Sequence, residues 1–196
     1  MWDERHAARE PIESTEPDPT LAAVVAELRP GTALDLGSGD GRNAVWLAQA
    51  GWTVTGADFS VVALERAAAR AAREGVSVDW VQRDLLAWTP DAAAYDLVTL
   101  FFIHLPAAER RGVYARAAAA VAPGGTLLVV AHDRTNLAHG VGGPQDPDVL
   151  FTAAEAAAEL PAGFEVVRAE ATRRGAGEDA GARAPIDAVM VARRAG

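Results

Sequence analysis

Three glycines at alternate positions, in Asp35-Leu-Gly37-Ser38-Gly39-Asp-Gly41, stand between two patterned segments. Before them is a short apolar run, Thr32 to Leu36, and after them Ala44, Val45, Leu47 and Ala48 recur at helical spacing. A strand, a glycine turn and a helix in that order constrain the fold more than any other feature of the chain. Glycine lets the backbone turn sharply and approach a ligand closely, and the start of a helix carries unpaired N–H groups suited to a carboxylate or phosphate. The loop is thus expected to hold a small anionic moiety at the edge of a sheet.

The pattern around the loop repeats this alternation. Thr20 to Leu28 reads as a first helix, capped by Asp18 or Thr20 and stopped by Pro30-Gly31. Thr53 to Ala57 is a β-branched run ending at Asp58, and Ser60 then caps an Ala-rich helix that runs to about Glu74 and stops at Gly75. Val76 to Val81 predicts a third strand, and Tyr95 to Ile103 a fourth that is apolar enough to be covered on both faces. Pro106 opens a helix to about Val121, Pro123-Gly124-Gly125 makes a turn, and Thr126 to Ala131 predicts a fifth strand. Thr152 and Glu155 form a capping box. Phe164 to Thr172 and Ile186 to Ala192 read as two strands with no helix between them, so they must pair antiparallel or lie apart. The expected architecture is an α/β doubly wound seven-stranded sheet, mostly parallel with a C-terminal antiparallel hairpin. Residues 1–19 are expected to be an irregular arm, and residues 20–196 a single domain.

Composition narrows the partners. Eighteen Lys and Arg against 27 Asp and Glu leave a formal charge of −9, which repels nucleic acid and anionic membranes. There is no Cys, which removes thiolate chemistry. The polar opening segment and the shortness of the longest apolar stretch, around Leu97 to Leu105, predict neither a secretory signal nor a membrane span, and a cytoplasmic location is expected.

Asp58 lies 21 residues beyond Gly37, the offset at which a carboxylate accepts the hydroxyls of a ribose. Asp84 can accept from an exocyclic amine such as that of adenine, with Phe59 and Leu85 offering apolar faces to the ring. The alternative is a tight turn at the glycines, a helix cap at Asp58 and a solvated Asp84. A dinucleotide fingerprint needs a third glycine where Arg42 stands, so an NAD(P)-binding oxidoreductase is the second reading.

On these residues the chain resembles the class I S-adenosylmethionine-dependent methyltransferases, whose fold is Rossmann-like. Asp35 to Gly41 is similar to the cofactor loop, Asp58 to the ribose acid, Asp84-Leu85 to the adenine-contacting pair, Tyr95-Asp96 to the start of the fourth strand, and Ala122 to Gly125 to the turn before the fifth. Gly41-Arg-Asn43-Ala and Trp2-Asp-Glu-Arg5 are similar to small bacterial enzymes related to the thiopurine and tellurite-resistance methyltransferases. The resemblance implies that Asp35, Gly37, Ser38, Gly39, Gly41, Asn43, Asp58, Phe59, Asp84 and Leu85 bind S-adenosylmethionine, whose product is S-adenosylhomocysteine. It also implies that the N-terminal arm closes over the cofactor; Arg5 is read as reaching the cofactor carboxylate from that arm, with a solvated arginine as the alternative. The expected partner is a small-molecule methyl acceptor bound by a monomer or homodimer, with a non-catalytic cofactor-binding protein as a further alternative.

Methyl transfer needs a base only where the acceptor is protonated, and His is the natural candidate. His104 and His132 end the fourth and fifth strands, at the carboxyl edge where open α/β sheets bind ligands. His104 has a second reading as a residue leading into the Pro106 helix. The loop 133–151 leaves from the same edge and is read as a lid, with a loop tied by its own polar groups as the alternative. The spacing of His104, His132, His139 and Asp133 matches no short metal-ligand pattern, and no metal is expected. Trp46 and Trp80 are read as core, and Trp2 as a pocket residue.

Overall fold

The computed structural model describes residues 16–175 and 184–196. Seven strands are found among them: β1 (Thr32–Leu36), β2 (Thr53–Asp58), β3 (Asp79–Gln82), β4 (Tyr95–Phe101), β5 (Val121–His132), β6 (Phe164–Arg173) and β7 (Ile186–Arg194). The helices are α1 (Pro19–Val25), α2 (Arg42–Gln49), α3 (Val61–Glu74), α4 (Ala107–Ala120), α5 (Asn136–His139) and α6 (Ala153–Ala158), with a 3-10 turn at Pro147–Val149. The strands form one sheet in the order β3-β2-β1-β4-β5-β7-β6. The pairs from β3 to β5 are parallel, while β7 runs antiparallel to both β5 and β6. The strand order turns back on itself at β1 and β4, which opens a crevice at their carboxyl ends.

Consecutive residues of a strand face opposite sides of the sheet, so a strand covered on both faces must be apolar throughout. On β1, β4 and β5 this is visible residue by residue. Leu34, Leu36, Val98, Leu100, Leu127 and Val129 pack with Val113, Tyr114 and Phe151 on one face. Ala33, Leu97, Phe101, Leu128 and Val130 pack with Leu21, Leu47 and Trp52 on the other.

The helix ends follow their sequence signals. Asp18 accepts the Thr20 N–H at 2.9 Å, Ser60 accepts from Ala63, Gly75 takes the left-handed conformation, and Thr152 and Glu155 exchange both capping-box bonds. Several boundaries differ from expectation for local reasons. The Val76 N–H closes the end of α3 on Ala71, so β3 begins only at Asp79. Phe102 has φ +56°, which turns the chain out of β4 before Ile103. Pro123-Gly124-Gly125 lies within β5 as an irregularity in its pairing with β4, and the strand begins at Val121. The first helix ends at Val25 instead of Leu28.

The segment 133–151 is tied down. Asp133 accepts from the N–H and hydroxyl of Thr135, the Arg134 N–H donates to the Phe151 carbonyl, and the Asn136 side chain accepts from Ile186 and donates to Gly142. These bonds match the tied-loop reading rather than the lid. No helix among the described residues is long and apolar enough to cross a membrane.

Candidate functional site

The glycine loop is shaped mainly by backbone. Gly37, Gly39 and Gly41 all have positive φ, at 71°, 54° and 79°. The N–H groups of Gly37 and Ser38 donate to the Ala57 carbonyl at 2.7 and 3.0 Å, which locks the loop onto the end of β2. The Gly39 N–H donates to Asp58 Oδ2 and the Ser60 N–H to Oδ1, both at 2.9 Å. Asp58 therefore faces the loop, and it also holds the N–H of Ser60, the residue that caps α3. Two N–H bonds leave each of its oxygens a further lone pair. The N-terminus of α2 carries no side-chain cap, so its first N–H groups remain the donors on offer at this end of the loop.

Space around the glycines is unequal. A Cβ on Gly37 would stand 2.2 Å from Ile103 Cδ1, and one on Gly41 2.7 Å from the Trp80 ring, whereas one on Gly39 would meet nothing within 4 Å. The loop is packed from beneath and from the β4 side, and open at Gly39. Trp80 is partly buried and fills the space that Gly41 and Gly56 leave, as its reading as core implied. The Ser38 hydroxyl is buried without a partner.

Beneath the loop, Asp35 is buried and accepts the Thr99 hydroxyl at 2.7 Å. Asp35 and Thr99 are register partners across β1 and β4. Burial pushes the Asp35 carboxyl up to about 6, opposed by the Thr99 hydrogen bond, and nearby Asp58 raises it further. The Arg42 charge opposes this, but among the described residues no cationic side chain hydrogen-bonds to Asp35, and such a buried carboxyl is an electrostatic seat for a positively charged ligand centre. An adenosine-bearing sulfonium with an amino-acid tail fits this donor and acceptor set: a charge-seeking carboxyl below, an open glycine beside it, and the Asp58 carboxylate, 19 residues beyond Gly39, with lone pairs to spare.

The remaining expected cofactor residues divide. Phe59 is 44% exposed and Leu86 45%, so apolar faces line the sheet edge beside Asp58. Leu85 packs against the core and lies near Gly37. Asp84 is exposed and accepts the Leu86 N–H through Oδ1, leaving its other oxygen for a ligand. Asn43 is buried, and its Oδ1 accepts the Asp18 N–H at 3.0 Å, so this side chain ties α1 to α2. Arg5 and Trp2 lie outside the described residues.

At the ends of β4 and β5, His132 Nδ1 lies 3.2 Å from His104 Nε2. Pro106, not His104, occupies the cap position of α4. Burial lowers His104 to about 4, helped by His132, and burial also lowers His132. Both rings are neutral at neutral pH. The Phe102 ring lies 5.2 Å from that of His132, and Gly143 approaches the same imidazole closely. Among the described residues no group of three or more His, Cys, Asp or Glu side chains can hold a metal ion.

Residues 33–125 match the model of a family described as methyltransferase domain. The chain is thus similar to methyltransferases over 93 of its 196 residues, a stretch that holds the glycine loop, Asp58 and Asp84. It is 27% identical over 145 residues to the 2-heptyl-1-hydroxyquinolin-4(1H)-one methyltransferase of Mycobacteroides abscessus, a match covering 72% of this chain and 64%, less than two thirds, of that relative. Among solved structures, TehB from Haemophilus influenzae superposes with a TM-score of 0.74 at 19% identity, covering 93% of this chain and 64% of that one. The 1,6-didemethyltoxoflavin-N1-methyltransferase of Burkholderia thailandensis, solved with 1,6-didemethyltoxoflavin and S-adenosylhomocysteine, gives 0.68 at 23%, covering 91% and 77%. At these identities the structural likenesses carry the fold alone.

Sequence reasoning missed four residues of the site. Thr99 and Ile103 come from β4 and the turn beyond it, and Arg174 and Asp187 flank the His132 ring from β6 and β7. Two of them carried a signal. Thr99 is a lone hydroxyl in the apolar run Leu97 to Phe101, and Asp187 a lone carboxylate in the apolar strand Ile186 to Ala192.

Proposed function

We propose that the chain transfers a methyl group from S-adenosylmethionine to a small-molecule acceptor, with S-adenosylhomocysteine as the second product. The observation that carries this reading is Asp35, a buried carboxyl held under the open glycine loop that, among the described residues, accepts a hydrogen bond from the Thr99 hydroxyl and from no cationic side chain. When bound, the cofactor supplies a methyl group on positively charged sulfur, already activated for in-line displacement. The protein's task is then alignment and the exclusion of water.

Asp35 stabilises positive charge near the loop, and Asp58 accepts the ribose hydroxyls with its remaining lone pairs. The α2 N-terminus donates to the carboxylate, joined by Arg5 as the arm 1–19 closes over the site. Phe59 and Leu85 offer apolar faces to the base, and Asp84 accepts from its exocyclic amine. His104 and His132 serve the acceptor, and His132 Nε2 is the nitrogen that meets its reactive group. The names of the matched proteins from Mycobacteroides abscessus and Burkholderia thailandensis contain heteroaromatic molecules, 2-heptyl-1-hydroxyquinolin-4(1H)-one and 1,6-didemethyltoxoflavin, which supports a small acceptor here. The net charge of −9 supports a chain that engages neither nucleic acid nor anionic membrane, working in the cytoplasm as a monomer or homodimer.

A thermal-shift titration with S-adenosylmethionine, S-adenosylhomocysteine, NAD and NADP in parallel tests the cofactor, because a ligand that binds the folded state raises its melting temperature. The two sulfur compounds are expected to stabilise and the nicotinamides not. Stabilisation by a nicotinamide alone would overturn the reading.

A further inference from the structure

The polar groups at the acceptor edge form a hydrogen-bond chain whose direction is set by which groups can only donate. The His132 amide N–H lies 3.3 Å from His104 Nε2. A peptide N–H cannot accept, so that Nε2 is unprotonated and the proton of the neutral His104 ring is on Nδ1, where the Phe102 carbonyl accepts it. The same Nε2 lies 3.2 Å from His132 Nδ1. Two lone pairs at that separation repel, so His132 carries its proton on Nδ1 and its Nε2 is bare. The bare nitrogen faces Arg174 Nη2 at 3.5 Å, and a guanidinium only donates.

We propose that Arg174, anchored by Asp187, is a positioning residue for His132, holding its Nε2 as a neutral, lone-pair-bearing nitrogen at the acceptor edge. This rests on the reading of His132 as the group that meets the acceptor. Arg174 Nε and Nη2 grip the two oxygens of Asp187 at 2.7 and 2.9 Å, and the guanidinium lies 4.6 Å from the centre of the Phe102 ring. Asp187 is the cross-strand register partner of His132. The charged and titratable groups facing His132 are His104 after β4, Arg174 after β6 and Asp187 on β7, with Asp18 ahead of α1 acting on Arg174. Burial is the largest influence on His132 and disfavours an imidazolium; Asp187 favours one, and Arg174 opposes Asp187. Arg174 meets the single Nε2 lone pair only at 3.5 Å, so a hydroxyl, thiol or amine of the acceptor displaces that contact and donates to the ring, without a positive charge forming on the imidazole.

Nitrogen-15 NMR of the full-length protein with labelled imidazole rings, in the absence of cofactor and acceptor, tests this directly. His132 is expected to show a bare Nε2 at neutral pH and a titration midpoint below about 6.5, the ordinary histidine value. Arg174→Gln leaves Asp187 unbalanced and raises the midpoint by about one pH unit or more. Asp187→Asn removes the carboxylate that, among the described residues, raises the His132 midpoint, and so lowers it, and Arg174→Lys, which keeps the charge, keeps it low. The opposite signs of the first two shifts are the signature, since a merely structural pair would change melting temperature without them. A proton on Nε2 in the parent protein, or shifts of the same sign, would overturn the proposal, and Asp187→Asn tests it even where Arg174→Gln fails to fold. Methyl transfer and this hydrogen-bond direction can each fail while the other stands, because the NMR sample contains no cofactor.

Discussion

The cofactor side and the acceptor side of the sheet edge are built in different ways. Around the glycine loop, the groups that matter are backbone N–H groups and carboxylates within short stretches, residues 35–42 and 58–60, joined by bonds that the turn geometry imposes. At the acceptor edge, side chains from four places in the chain converge. His104 and His132 are 28 residues apart, and Arg174 meets His132 across 42. A site made by backbone constrains residue types at fixed offsets and leaves a motif. A site made by convergent side chains constrains only where strands end, and leaves none.

The largest expected effect breaks the cofactor half outright. Gly37→Val puts a branched side chain at φ +71° and against Ile103, and should cost about 4 kcal/mol of stability through strain and overpacking. Cofactor binding is lost with it. Gly39→Ala meets open space and pays only for its left-handed backbone, about 1 kcal/mol. It should fold yet bind S-adenosylmethionine at least tenfold more weakly by calorimetry, about 1.4 kcal/mol. Unchanged affinity would show that the space beside Gly39 is not the ligand's.

Asp35→Asn separates stability from function on the same side. The folded-state pKa of Asp35 is raised to about 6, so the unfolded chain gives up the proton first, and the folded state loses stability as pH rises from the ordinary carboxyl value through about 6. Asparagine keeps an acceptor for the Thr99 hydroxyl and removes the buried charge. The variant should therefore be more stable than the parent by on the order of 2–3 kcal/mol above that range, with the advantage shrinking toward zero in acid. Denaturant melts at several pH values check this. A variant equally stable at pH 8 would mean that Asp35 carries no burial penalty, and with it would go the reason for a cationic ligand.

The smallest expected effect belongs to the acceptor edge. His132→Ala should lower turnover by about tenfold, roughly 1.4 kcal/mol of transition-state stabilisation, while cofactor affinity measured by calorimetry stays at the parent value. A change in cofactor affinity of the same size would join the two regions that the structure keeps apart.

The difference between the regions also explains what was legible beforehand. The loop, Asp58, the Ser60 cap, the Gly75 stop and the Thr152–Glu155 box were readable because each is a local bargain between one side chain or glycine and backbone a few residues away. The tie from Asn43 to the Asp18 N–H, 25 residues earlier, was not legible, because no local pattern records it. The fastening of the loop 133–151 was hidden in the same way, since the bond from Ile186 to Asn136 crosses 50 residues.

The amino-acid order alone determined that strands and helices alternate, that the middle strands are covered on both faces, and that a carboxylate-flanked glycine turn sits where a sheet opens. Periodicity, caps and glycine turns are short-range physics. Only the tertiary structure decided that β7 inserts between β5 and β6, that Asp35 lies opposite Thr99, and that Arg174 and Asp187 reach His132. Those outcomes depend on strand order and register, which are chosen by how all the buried faces pack at once.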